Sequence, residues 1–223
     1  MRNLNPKPFL YAIVGFSVIV WFILITISGF DINNLLSLLK PFPNVVTADA
    51  LLVTVFIKWG WRLSVFHDWL VPFPDLAGTW QGSLQTDWKD ENGNVPGPIP
   101  VILTIHQSFL HISCVMRTAE MESHSYAEGF VIDRERQIRQ LCYSYTSKPR
   151  SSLRDRSTPH DGTILFRLSG EPVNKLVGEY WTQRKTTGTV TMTFKTKELL
   201  DELPTDIPAH PVASGNTQPL KNS

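Results

Sequence analysis

The stretch GTVTMTFK, residues 188–195, decides the fold class. Val190, Met192 and Phe194 alternate with Thr189, Thr191, Thr193 and Lys195, so one face is apolar and the other polar. A period of two marks a strand that buries one side. The reading extends backwards through LAGTWQGSLQT (76–86), IPVILTIHQ (99–107), FLHISCVMRT (109–118), 123–132, QIRQLCYSYTS (137–147), HDGTILFRL (160–168) and VNKLVGEYWT (173–182). These segments are β-rich and are punctuated by turn residues. Eight short strands without a long helical period between them predict an antiparallel meander. Eight is also the number that closes into a small barrel able to hold one small ligand.

Ahead of the strands lie two apolar segments. Residues 9–30 contain no charged side chain, and 22 residues suffice for a helix to cross a hydrocarbon core of about 30 Å. This segment is longer than the ~7–15-residue core of a signal peptide, and no small-residue cleavage site follows it. It reads as a retained anchor. A second apolar stretch covers 45–66. The predicted layout is a cytosolic N-terminus (1–8), a first span (9–30), an external connector (31–44), a second span (45–66), a linker (67–75), a barrel (76–202) and a disordered, proline-rich tail (203–223). Arg2 and Lys7 before the first span, with Lys58 and Arg62 at the far end of the second, place both ends in the cytosol by the positive-inside rule. Trp59, Trp61 and Trp69 form the matching interfacial belt. Asp49, Lys58 and Arg62 are candidates for membrane function. The bland reading is snorkelling of the two cations; the sharper one is a polar helix–helix contact or a wet path when several chains assemble.

Charge and motifs narrow the function. The formal net charge is +1, and residues 75–202 carry 15 Lys and Arg against 16 Asp and Glu. A DNA- or RNA-binding domain would show a basic excess, so no nucleic-acid polymer is expected as partner. Cys114 and Cys142 lack CxxC spacing and read as free thiols in a reducing compartment. The signatures GxSxG, HExxH, GxxxxGK[ST] and GxGxxG after a strand are absent. The six histidines are scattered without metal spacing; each reads as structural or exposed. The expectation is a binding protein with no catalytic residue, no metal and no cofactor.

In an up-and-down meander, alternate loops share one end of the barrel. The end away from the start of the first strand gathers loops 87–98, 119–122, 148–159 and 183–187. They bring Lys148, Arg150, Arg154, Arg156, Arg184 and Lys185 to one basic rim, offset in part by Asp155 and Asp161. The segment GEYWTQRKTTG (178–188) is dense in aromatic, hydroxyl and cationic groups. Aromatic faces stack bases, while Arg and hydroxyls take phosphate oxygens. The candidate ligand-binding residues are Tyr143, Tyr145, Arg150, Arg154, Arg156, Tyr180, Trp181, Thr182, Arg184 and Thr187. The alternatives are barrel core for the aromatics and a solvated loop for the arginines.

Gly78, Trp80 and Gly82 in the first strand form a GxW start that resembles the lipocalin entry motif, where the tryptophan plugs the barrel floor; a structural role is expected for all three. Two N-terminal apolar segments, then LAGTWQGSL, PIPVILTIHQSFLHISC and GEYWTQRKTTG, resemble the two-transmembrane β-barrel effectors of bacterial cyclic-oligonucleotide anti-phage signalling (CBASS). The resemblance covers about residues 9–200. It implies a cyclic dinucleotide ligand made by a cognate nucleotidyltransferase, a multi-pass position in the bacterial inner membrane, self-association into oligomers, disruption of the bilayer and abortive infection. The motif positions it carries are Tyr180, Trp181, Thr182, Arg184 and Thr187. Two rivals stand beside it: a membrane-anchored lipocalin-like carrier or sensor of a small apolar ligand, and a tethered enzyme with an unrecognised site.

Overall fold

The computed structural model describes residues 6–28, 39–89, 93–151, 158–204 and 217–218. The chain divides into two compact units, one ending at Phe73 and one beginning at Pro74.

The first unit holds helices α1 (Pro6–Ser28) and α2 (Phe42–Lys58). Within α1, Lys7–Ile27 forms a stretch of 21 residues that is long and apolar enough to cross a membrane. α2 departs from the expected second span of 45–66. It starts at Phe42, with proline in its first turn, where a missing N–H is no loss. It stops at Lys58, because Gly60, a poor helix former, opens a 3-10 turn at Gly60–Arg62, and a second follows at Ser64–Phe66. Seventeen residues span about 26 Å. Among the described residues, α1 is the one helix that meets the length and hydropathy needed for a span.

Lys58 and Arg62 therefore do not share a helical face. Lys58 Nζ instead lies 4.5 Å from the Trp59 ring centroid, and the Arg62 guanidinium lies 4.9 Å from that of Trp61. These are cation–π pairs between the basic groups and the tryptophan cluster. Phe9 meets Phe56 edge-on between the helices, with centroids 6.0 Å apart. Ser17 Oγ donates to Asp49 Oδ2 at 2.7 Å, while Asp49 Oδ1 is buried without a hydrogen-bond partner among the described residues.

The second unit is a closed barrel of eight antiparallel strands in the order β1-β3-β4-β5-β6-β7-β8-β9. The strands are β1 (Gly78–Thr86), β3 (Ile99–Gln107), β4 (Ile112–Arg117), β5 (Met121–Asp133), β6 (Ile138–Pro149), β7 (His160–Ser169), β8 (Lys175–Thr182) and β9 (Thr187–Thr196). Each strand pairs with its successor, and β1 closes on β9, so the meander leaves no edge within the barrel. A two-residue β2 (Val95–Pro96) pairs with β10 (Thr217–Gln218). Apart from residues 203–204 and 217–218, the expected disordered tail at 203–223 lies outside the described residues.

Alternation sets the interior. In β8, Leu176, Gly178, Tyr180 and Thr182 point in while Lys175, Val177, Glu179 and Trp181 point out. In β6, Leu141, Tyr143, Tyr145 and Ser147 point in. Three rings lie over glycines on the next strand: Tyr145 pairs with Gly162, Phe166 with Gly178, and Tyr180 with Gly188. A Cβ at those glycines would stand 2.6 Å, 2.7 Å and 2.6 Å from the respective ring atoms.

The end where β1 begins is sealed. Trp80 is 1% exposed; its indole N–H donates to the Leu76 carbonyl at 2.9 Å and its ring meets Phe194 edge-on. The Gln107 amide pins the incoming chain, accepting from Leu76 N at 2.7 Å and donating to the Pro74 carbonyl at 2.9 Å. After β9 the chain crosses the outside of β1 and β3. The hydroxyls of Thr79 and Thr104 donate to the carbonyls of Glu198 and Leu200, each at 2.7 Å. Cys114 is buried, Cys142 half-buried, and both are free thiols.

Gly82 shows how tightly β1 lies on β9: an added Cβ would fall 1.8 Å from the Thr191 carbonyl oxygen, which is backbone and has no rotamer to adopt. Gly82→Ala is expected to destabilise the barrel by about 3 kcal/mol. Gly129→Ala, where a Cβ meets nothing within 4 Å, is expected to stay within about 0.5 kcal/mol of the parent. Thermal unfolding of the full chain in detergent separates the two; equal midpoints would show that β1 and β9 are free to spread.

Candidate ligand-binding site

Because the meander runs up and down, the turns after β1, β4, β6 and β8 collect at the end opposite Trp80. A cavity of about 190 Å³ lies at that mouth. Its apolar wall is Leu84, Ile99, Met116, Met121, Pro96 and Trp88. Its polar wall is Thr86, Thr118, Ser123, Ser147, Thr182, Thr186, the phenols of Tyr145 and Tyr180, and three titratable groups, Glu120, His160 and Arg184. Most of these occupy the last inward position of a strand or the turn after it, so strand parity and strand length aim them together.

Among the sequence candidates, Tyr145, Tyr180, Thr182 and Arg184 meet in this cavity. Tyr143 shares their barrel interior but sits deeper, 2% exposed and packed on Tyr145 and Phe166 at centroid separations of 6.1 Å and 6.2 Å. Its hydroxyl is buried without a partner among the described residues. Trp181 points the other way: it is 48% exposed on the outer wall, since its neighbours Tyr180 and Thr182 take the inward parity. Arg150 is exposed beyond β6, its N–H bonded to the Glu120 carbonyl at 3.0 Å, and it does not line the cavity. Arg154 and Arg156 lie outside the described residues. Thr187 does not line the cavity either. Its N–H and hydroxyl donate to the Asp87 carboxylate at 2.8 Å and 2.7 Å, which ties the β8–β9 turn to the end of β1. Inside that turn, the Thr182 and Thr186 hydroxyls are 2.6 Å apart, and Lys185 takes positive φ of 62°.

The electrostatics follow from burial. Desolvation lowers the Arg184 pKa from its ordinary value, while the nearby phenols of Tyr145 and Tyr180 act the other way. Burial pushes both phenols above the usual tyrosine range, so they enter binding as neutral O–H donors. His160, expected to be structural or exposed, is a buried lining residue whose pKa is lowered, first by burial and then by Arg184. Its Nε2 lies 3.3 Å from Arg184 Nη2. Ser123 Oγ donates to Ser147 Oγ at 2.9 Å. Sequence reasoning missed His160, Ser147, Ser123, Thr86 and Glu120. The available signal was parity: each stands at or next to the mouth end of a strand.

A closed β-barrel with a small cavity at one mouth, walled by apolar side chains, hydroxyls and the titratable groups Glu120, His160 and Arg184, has the form of a small-ligand receptor. Residues 71–195 match the family described as Cap15, cyclic dinucleotide receptor domain. The match takes in the whole barrel except the last residue of β9, and the chain belongs to that family. It is also 23% identical over 179 residues to CD-NTase-associated protein 15 of Staphylococcus schleiferi, an alignment covering 80% of this chain and 92% of the relative.

Asp87 has a lowered pKa, chiefly through the two Thr187 bonds. A depressed folded-state pKa contributes stability that is present above the unfolded value, near 3.9, and is lost as the pH falls through the folded value. The tie is therefore intact at neutral pH. Asp87→Ala is expected to loosen the turn that carries Arg184 and weaken ligand binding by on the order of 1 kcal/mol, about fivefold. Affinity of the full chain for the cyclic dinucleotide that stabilises it most provides the check; an unchanged value would show that the turn holds its shape without Asp87.

Proposed function

We propose that the barrel mouth binds a cyclic dinucleotide made by a cognate nucleotidyltransferase, that loaded chains assemble, and that the N-terminal helices then disrupt the bacterial inner membrane and abort infection. The barrel acts as a receptor and not as an enzyme. In this reading α1 and α2 together supply a multi-pass anchor and the barrel faces the cytoplasm. The observation that carries it is Arg184 beside neutral tyrosine hydroxyls in a mouth that also holds His160, Glu120, apolar side chains and further hydroxyls. A cyclic dinucleotide presents two phosphodiesters and two bases. Arg184 suits one phosphate through its fork of donors, hydroxyls suit ribose and phosphate oxygens, and Trp88, Tyr145 and Tyr180 offer ring faces to bases.

The apolar wall of Leu84, Ile99, Met116 and Met121 favours a second reading, a carrier or sensor of a small apolar ligand. Thermal unfolding of the full chain in detergent distinguishes them. Against a panel of cyclic dinucleotides of A, G, C and U, the matching species at about 100 times its Kd adds ~2.7 kcal/mol to stability, and its linear form adds less. Arg184→Ala is expected to cost about 1.5–3 kcal/mol of binding, whereas an apolar carrier tolerates it. Stabilisation by no nucleotide would transfer support to the carrier.

Assembly requires that ligand prefer the assembled state. A shift from 1:99 to 99:1 takes about 5.5 kcal/mol of differential binding. Replacing residues 9–66 with an unrelated two-span anchor is expected to keep ligand binding and abolish killing of the host cell. Killing that persists through the exchange would show that the barrel acts on a different target.

A further inference from the structure

We infer that His160 is a second anion-binding group of the pocket, which takes up a proton when a phosphodiester reaches Arg184. The inference rests on the reading of the pocket as a cyclic dinucleotide site and assigns a role to a residue outside the sequence candidates.

Hydrogen-bond chemistry defines the resting state. Arginine has only N–H donors and no acceptor. Arg184 Nη2 at 3.3 Å therefore requires a lone pair on His160 Nε2. The other ring nitrogen, Nδ1, lies 3.3 Å from the Thr158 carbonyl oxygen, which only accepts, so the proton sits on Nδ1. The pocket thus holds a neutral imidazole whose Nε2 accepts from the guanidinium. A proton on Nε2 would replace that bond with two opposed donors and two like charges.

An anionic oxygen reverses this balance. Arg184 swings its donors to the phosphodiester, and the His160 Nε2 lone pair then faces negative charge. Protonated at Nε2, the imidazolium becomes a second charge-assisted donor to the same group. The proton comes from solvent, and no covalent bond is made or broken. The groups around the ring are compatible with this exchange: Arg184 from the β8–β9 turn, Glu120 from the β4–β5 turn, Tyr145 and Ser147 from β6, Thr158 before β7, and Asp161 beside it. Asp161 favours the charged ring, while burial and Arg184 favour the neutral one. Ligand removes the second of these opposing influences. A single guanidinium is thereby supplemented by a cation that exists only when anion is present, which spares the empty site a second desolvated charge.

Proton uptake distinguishes this role from a packing role. The full chain in detergent is titrated calorimetrically, in two buffers of different ionisation enthalpy, with the member of the A, G, C and U cyclic dinucleotide panel that stabilises it most. Between pH 8 and pH 6, where imidazole is the side chain that ordinarily titrates, wild type is expected to take up close to one proton. Its affinity should rise by up to about tenfold per pH unit. H160Q, verified as folded by its thermal transition, should bind with an affinity that no longer follows pH. The imidazole C–H resonances of the wild-type chain give a variant-free check: the His160 titration midpoint moves up on ligand addition. Binding without proton uptake, an unmoved midpoint, or an H160Q slope equal to wild type overturns the role of His160 and leaves the receptor reading standing. Absence of binding by every panel member at every pH removes both.

Discussion

Closure of eight strands leaves an interior too narrow for a large side chain at every inward position, and the structure meets this limit with aromatic–glycine pairs. Tyr145 on β6 lies over Gly162 on β7, Phe166 on β7 over Gly178 on β8, and Tyr180 on β8 over Gly188 on β9. Each ring covers the backbone of the next strand, as aromatic rescue of a glycine does in sheets. The rings stay against the wall, and the mouth above them remains open. Two of the three rings line the cavity, so the packing that closes the barrel also shapes the candidate site.

The two ends of the barrel differ because they solve different problems. The closed end satisfies its polar groups internally: Trp80 donates to Leu76, and Gln107 both accepts from and donates to the entering chain. The mouth keeps polar groups in reserve. Hydroxyls pair with one another, as Ser123 with Ser147 and Thr182 with Thr186, and can exchange these bonds for ligand oxygens at little net cost. Arg184 is held there by a turn that Asp87 ties through Thr187. The Tyr143 hydroxyl, buried and unpartnered beneath this layer, is the one polar group of the inner wall that neither arrangement satisfies among the described residues.

In the helical unit the same accounting of polar groups points at Asp49. One carboxylate oxygen takes the Ser17 hydroxyl, and the other is buried without a partner among the described residues. A carboxylate in an apolar helix pair is costly, of order 3 kcal/mol at mid-bilayer. Lys58 and Arg62 have already found tryptophan faces.

The sequence by itself determined the eight strands of the barrel and their meander order, because β-rich composition between turn signals is a local property. The apolar length of α1 was equally local. What only the tertiary structure decided was which mouth residues meet. Trp181 and Tyr180 are adjacent in a motif with similar chemistry, yet parity sends one outside and the other in. His160 drew no attention among scattered histidines until register placed it opposite Ser147 and the β8–β9 turn brought Arg184 to its ring. The end of α2 was likewise hidden, since apolar composition continues past Lys58 while the backbone tightens into 3-10 turns at Gly60. Strand identity comes from neighbours along the chain; a binding site comes from neighbours across it, and those are set by register, closure and turn geometry.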